Sequence, residues 1–130
     1  MSPDLLLEET ISGGMRKGIV EALLEVLERT DNFTLTHSYR VAQLAVPIGA
    51  AMHLPEDAIE TLHVAALLHD LGKAFIPAQI LLKQDFLTEE EFSVMRKHPE
   101  YGSAVIARVP GFADVCDAVM SHHERFDGAG

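Results

Sequence analysis

The chain of 130 residues contains one cysteine, Cys116, and no tryptophan. A single cysteine excludes a disulfide within the chain and cysteine-rich metal sites, so we predict a reducing, cytoplasmic location. Long apolar runs are also missing, because the longest uncharged stretch, residues 41–55, is interrupted by Gln43, Pro47 and His53. That stretch is too short to span a bilayer, and the amino terminus has no basic segment followed by an apolar one. The sequence therefore predicts neither a membrane span nor an export signal.

Positive charge is scarce, with 10 Lys and Arg against 20 Asp and Glu and a net charge of −10. Such a surface repels nucleic acids and anionic lipids, so we expect no DNA, RNA or membrane partner. A substrate that carries phosphates would need positive charge placed locally, which bound metal ions can supply. The length and the 48% hydrophobic content suit one compact domain.

The apolar residues recur at helical spacing, and no segment shows the strict alternation of a strand. The sequence therefore predicts an all-α fold, a bundle of about six helices joined by short loops. Thr88 and Glu91 have the spacing of a capping box, which places a helix start at Glu89. The helices are expected at approximately residues 17–29, 34–52, 55–72, 89–98, 99–110 and 112–123.

In the second of these helices, the spacing predicts that Val41, Leu44, Ala45 and Ile48 face inward. Pro47 lies within the same helix and is expected to kink it.

Seven histidines are present, and their positions suggest a metal site. His69-Asp70 and His122-His123 are adjacent pairs, and His98 lies near a predicted helix end. Imidazole and carboxylate ligands suit divalent iron, manganese, cobalt, nickel or zinc. Neighbouring residues on a helix point about 100° apart. Each pair can therefore address two ions, as a binuclear phosphoryl-transfer site requires.

Taken one at a time, these residues have ordinary structural explanations. A His-Asp pair arises often by chance, and a histidine on an apolar helix face, such as His122, is more often a core residue. Lys73 alone would be a helix-terminal cation. His53 and His63 have no ligand-like context, and we expect a helix-end residue and a surface or semi-buried residue respectively.

Taken together, the residues resemble the HD-GYP family of metal-dependent phosphohydrolases. The resemblance begins in the runs THSYRVA, residues 36–42, and AALLHDLGK, residues 65–73. It continues in LTEEEF, residues 87–92, KHPEYG, residues 97–102, and HHERFDG, residues 122–128. The combination covers the chain from about residue 30 onward and is far more specific than any single pair.

The resemblance implies a site for two divalent transition metal ions, with iron or manganese favoured over zinc, nickel and cobalt. The implied metal ligands are His37, His69, Asp70, His98, His122 and His123. Asp70 would bridge the ions, and Lys73 would stabilise charge on the phosphate. A metal-activated water would then hydrolyse cyclic di-GMP to linear pGpG, and in some family members onward to GMP.

Two departures from the family pattern matter. Phe33 stands where some members carry a glutamate for a third metal, so we expect two ions. The sequence ends at Gly128-Ala129-Gly130, inside a loop expected to continue into the Gly-Tyr-Pro motif. We therefore expect residues 18–130 to form an incomplete phosphohydrolase domain. Residues 1–17 would be a linker or short helix after an upstream regulatory domain, and homodimerisation is left open.

Two other functions remain open. An HD phosphohydrolase for other nucleotides or phosphoesters would use the same metal chemistry, although the motifs after His98 favour cyclic di-GMP. A catalytically inactive signalling module is disfavoured, because each family ligand position present in the chain is filled.

Overall fold

The structure is a computed structural model that describes residues 14–125, 127 and 128. These residues form seven α-helices and one 3₁₀ helix, and no strand occurs among them, which confirms the all-α prediction. Within the same residues, no helix has the length and apolar character needed to cross a membrane. The elements are α1 Gly14–Thr30, α2 Asn32–Ala51, α3 Glu56–Leu68, the 3₁₀ helix Leu71–Phe75, α4 Ala78–Leu81, α5 Glu89–Met95, α6 His98–Ile106 and α7 Ala113–Met120.

The chain divides after Leu68 into two compact units. The first contains α1, α2 and α3. Asp31 caps α2, since its Oδ1 accepts a hydrogen bond from the Phe33 amide at 3.1 Å and its Oδ2 accepts one from the Thr34 hydroxyl. This cap starts α2 a few residues earlier than predicted. Because α1 begins at Gly14, the boundary proposed at residues 17 and 18 falls within a helix and stays a prediction.

The predicted inward face of α2 was wrong at Leu44 and Ile48, both of which are mostly exposed. The buried positions include Ser38, Ala42 and Gly49 instead. Small residues allow close helix packing, and a Cβ at Gly49 would lie 2.9 Å from the Leu62 side chain of α3. A hydrophobicity pattern does not mark small residues as the packed face, which explains the error.

His63 on α3 is fully buried, which corrects the expectation of a surface or semi-buried residue. Neither of its ring nitrogens has a hydrogen-bond partner among the described residues. Burial disfavours the charged imidazolium and lowers the pKa of His63 from 6.5 to about 4, although the charge of Glu60 acts in the opposite direction.

The stability of the protein is expected to fall as the pH is lowered from 6.5 to 4. In this range an unfolded chain protonates His63 while the folded chain does not, so unfolding becomes more favourable. This pKa shift lowers the free energy of unfolding by about 3 kcal/mol at pH 4. Urea unfolding of the wild type and His63→Leu at several pH values measures the effect, because groups common to both cancel in the difference. Parallel stability profiles for the two proteins would contradict the prediction.

The second unit contains the 3₁₀ helix and α4 to α7. The third predicted helix was expected to end at Gly72, but α3 ends at Leu68 and a turn at His69 and Asp70 precedes the 3₁₀ helix. The Lys73 amide donates to the Asp70 carbonyl at 3.0 Å, and this i to i−3 bond tightens the chain. Asp70 and Lys73 therefore lie on the same side of the turn.

The capping box at α5 is confirmed. The Glu91 amide donates to Thr88 Oγ1 at 3.1 Å, and the Thr88 amide donates to Glu91 Oε1 at 2.9 Å. Pro99 lies in the first turn of α6, as expected. In α7, Val115 and Val119 lie one turn apart and are both buried.

Candidate metal centre

Asp70 is the centre of a cluster of histidines in the second unit. Asp70 is 3% exposed, and several side chains approach its carboxylate. His69 Nε2 lies 3.1 Å from Oδ2, and His98 Nε2 lies 3.1 Å from Oδ1. Lys73 Nζ is 3.5 Å from Oδ2, and His122 Nε2 is 3.7 Å from Oδ1. Four possible donors thus surround one carboxylate.

The surroundings keep Asp70 ionised. Burial alone would raise the pKa of Asp70, but the hydrogen bonds that His122, His69 and His98 donate when their rings are protonated, together with the charge of His69, outweigh it. The pKa is therefore held far below its ordinary value. A buried carboxylate that is always charged requires a cationic environment.

Backbone carbonyl groups fix the rings of His98 and His122. His98 Nδ1 donates to the Met95 carbonyl at 2.9 Å, and His122 Nδ1 donates to the Val119 carbonyl at 2.6 Å. A carbonyl can only accept, so Nδ1 carries the proton in each ring. The neutral ring then presents a lone pair on Nε2, as metal-ligating histidines do.

Those Nε2 atoms face each other at 3.2 Å. In neutral rings both atoms are acceptors, and each also points at Asp70. Such an arrangement is repulsive unless a proton or a metal cation lies among the three groups. The donor geometry of His98, His122 and Asp70 therefore fits a metal ion.

His123 completes the cluster from its exposed side. Its ring centroid lies 4.1 Å from that of His122 and 5.1 Å from that of His98. Burial lowers the pKa of His123, and so does the positive charge that His122 and His98 carry when protonated, so the neutral form of His123 is favoured. One potential ligand atom from each of Asp70, His98, His122 and His123 lies within 4.8 Å of the others.

His69 also approaches this group, since its ring lies 5.1 Å from the His122 ring in an edge-to-face arrangement. The second unit thus brings together five of the six predicted ligands. His37 lies on α2 in the first unit, where its side chain is exposed, and its role as a ligand stays a prediction.

The donor set is chemically suited to borderline divalent metals, because it combines imidazole nitrogens with a carboxylate. Cysteine does not contribute to it. The thiol of Cys116 instead lies 2.8 Å from the Ser103 hydroxyl, between α6 and α7.

A close approach of backbones brings Asp70 to His98. A Cβ at Gly72 would lie 1.7 Å from the His98 carbonyl oxygen and 2.8 Å from the Gly102 nitrogen. At Gly102, a Cβ would lie 3.0 Å from the Gly72 nitrogen. The 3₁₀ helix can therefore touch α6 because position 72 is glycine, and Gly102 leaves room for a side chain only if its neighbours shift slightly.

Sequence reasoning missed the carbonyls that orient His98 and His122. Both belong to the last turn of a helix, at Met95 in α5 and Val119 in α7, where carbonyls lack the usual partner in the helix. Each histidine follows its carbonyl by three residues. This spacing is a usable sequence signal. A histidine that lies three residues after a residue in the last turn of a predicted helix can donate its Nδ1 proton to the carbonyl of that residue.

Comparison with known proteins shows the family. Residues 21–130 match the HD domain family. The chain belongs to the HD domain family. This match and the named relatives below support the HD-GYP type that the motifs predicted.

Several curated phosphodiesterases are similar to this HD domain. A cyclic di-GMP phosphodiesterase of Thermotoga maritima is 37% identical over 114 residues, covering 86% of this chain and 31% of the relative. One of Pseudomonas aeruginosa is 36% identical over 105 residues, covering 80% of this chain and 25% of the relative. The 3′3′-cGAMP-specific phosphodiesterase 1 of Vibrio cholerae is 31% identical over 112 residues, covering 86% and 26% respectively. The HD domain chain thus spans between 25% and 31% of the length of these relatives.

Proposed function

We propose that the protein is a metal-dependent phosphodiesterase that hydrolyses cyclic di-GMP to linear pGpG. The observation that supports this most directly is the convergence of His98 and His122 lone pairs on the ionised Asp70 carboxylate. The names of its relatives supply the substrate class.

We propose Asp70 as the residue that bridges two divalent ions, with iron or manganese favoured. The remaining proposed ligands are His37, His69, His98, His122 and His123. Two bound ions would supply an activated water and charge stabilisation at the phosphorus. The exposed side of the cluster at His123 leaves room for a substrate to approach.

Lys73 is proposed to bind a non-bridging phosphate oxygen of the substrate. Its ammonium group already lies at the cluster, 3.5 Å from Asp70, and is partly exposed. Since the protein has a net charge of −10, a local cation is needed where the phosphates bind. Lys73 would stabilise the charge that develops on those oxygens during hydrolysis.

A second candidate substrate is 3′3′-cGAMP, because relatives named for it are also similar to this chain. Both compounds contain phosphodiester groups, and we expect the cluster to contact only those groups. The described cluster residues therefore support the reaction type for both substrates.

The assay that tests the proposal compares cyclic di-GMP, 3′3′-cGAMP and the linear nucleotide GTP. The purified protein is stripped with a chelator and reloaded with iron or manganese before products are separated by chromatography. We expect metal-dependent formation of pGpG from cyclic di-GMP and at most slow hydrolysis of GTP. A preference for GTP would instead indicate a general HD phosphohydrolase. Absence of both turnover and stoichiometric metal would indicate an inactive module.

A further inference from the structure

Two aromatic side chains lie on the elements that adjoin Asp70 and carry His98, and neither is among the proposed metal ligands. Phe75 ends the 3₁₀ helix and is 53% exposed, while Tyr101 lies on α6 and is half-buried. Their ring centroids are 6.5 Å apart with an interplanar angle of 64°. In an edge-to-face pair, the ring that presents its edge does not have its faces covered by its partner, so a third ring can stack on it.

Both aromatic residues follow a candidate ligand closely in the chain. Phe75 follows Asp70 by five residues, roughly 10 Å at the rise of a 3₁₀ helix. Tyr101 follows His98 by three residues, which is roughly 4.5 Å along α6. The contact of Gly72 with the His98 carbonyl holds these two elements together. A phosphate at the cluster would therefore leave a base, one ribose away, within reach of the aromatic pair.

We propose that Phe75 and Tyr101 form a stacking platform for a purine base of the cyclic dinucleotide, an inference that rests on the phosphodiesterase function proposed above. A purine offers an extended π face. Stacking on it would remove the exposed face of the Phe75 ring from water, which is favourable. Lys73 lies between Asp70 and Phe75 in the chain, so phosphate and base would be bound by consecutive parts of one short helix. Stacking does not read hydrogen-bonding edges, so the platform accepts guanine and adenine alike.

Replacing Phe75 by alanine tests the platform. Loss of a stacking contact worth about 1 to 2 kcal/mol should raise KM for cyclic di-GMP roughly five- to thirty-fold. The kcat should stay within about twofold, because this contact is made equally before and during the reaction. A similar rise is expected with 3′3′-cGAMP. The metal content should not change, and Phe75→Tyr should restore the wild-type KM because it retains the ring.

The matched control is Phe86→Ala, since Phe86 is another phenylalanine of the second unit and is 98% exposed. It should leave KM unchanged. An unaltered KM in Phe75→Ala would overturn the platform, and so would an equal rise in Phe86→Ala. If the wild type hydrolyses no cyclic dinucleotide, the proposed function itself fails, so the two failures are distinguishable.

Discussion

Replacement of Asp70 by asparagine should remove bound metal and abolish phosphodiester hydrolysis while the helices stay folded. The carboxylate is the group on which His69, His98 and His122 converge. Asparagine has nearly the same shape, but it lacks the negative charge and turns an NH₂ group toward these side chains. Residues that merely orient a metal ligand are worth 10- to 100-fold in metal affinity. Loss of a central ligand is therefore expected to cost about a hundredfold or more.

The measurements are metal per chain by elemental analysis, hydrolysis of cyclic di-GMP, and helical content by circular dichroism. Asp117→Asn is the matched control, because it makes the same chemical change at an exposed position of α7. It should bind metal and turn over like the wild type. If Asp70→Asn retained wild-type metal content, the proposed role of the cluster would be wrong.

Local sequence patterns were sufficient for much of the fold. The helix start at Glu89 was predictable because Thr88 and Glu91 satisfy the terminal amides within four residues. The packed face of α2 was not predictable in the same way. Small residues such as Ala42 and Gly49 contribute little to a hydrophobic pattern, yet they determine how closely another helix can approach.

In the candidate site, the sequence indicated which residues are candidate ligands but not how close together they lie. Motif spacing identified Asp70, His98 and His122 as candidates, because each lies in a run of family-like residues. Their distances depend on contacts between segments about 25 residues or more apart, which no local pattern encodes. The burial of His63 was not predictable either, since it results from tertiary packing and its surrounding sequence gives no sign of it.

Replacement of Gly72 by alanine is expected to disrupt the site without altering any proposed ligand. The new Cβ would lie 1.7 Å from the carbonyl oxygen of His98, and that atom belongs to the backbone, so it cannot rotate away. The 3₁₀ helix and α6 would have to separate, which would move His98 from Asp70. We expect a loss of about 3 kcal/mol or more in the free energy of unfolding and a drop in metal affinity of about tenfold or more.

Alanine substitutions at two other glycines should affect stability less than Gly72→Ala, so the three variants can be ranked. Gly18 lies inside α1, and apart from its own helix backbone no atom of the described residues lies within 4 Å of a new Cβ, so Gly18→Ala should stabilise the protein by about 1 kcal/mol through helix propensity. Gly102→Ala should fall between the two, because its Cβ would lie 3.0 Å from the Gly72 nitrogen and 3.5 Å from a Val119 methyl group. Urea unfolding and metal titration of the three variants measure the order. Equal stability of Gly72→Ala and Gly18→Ala would show that the backbones do not meet at Gly72, because the helix-propensity gain at Gly18 is much smaller than the cost expected from that contact.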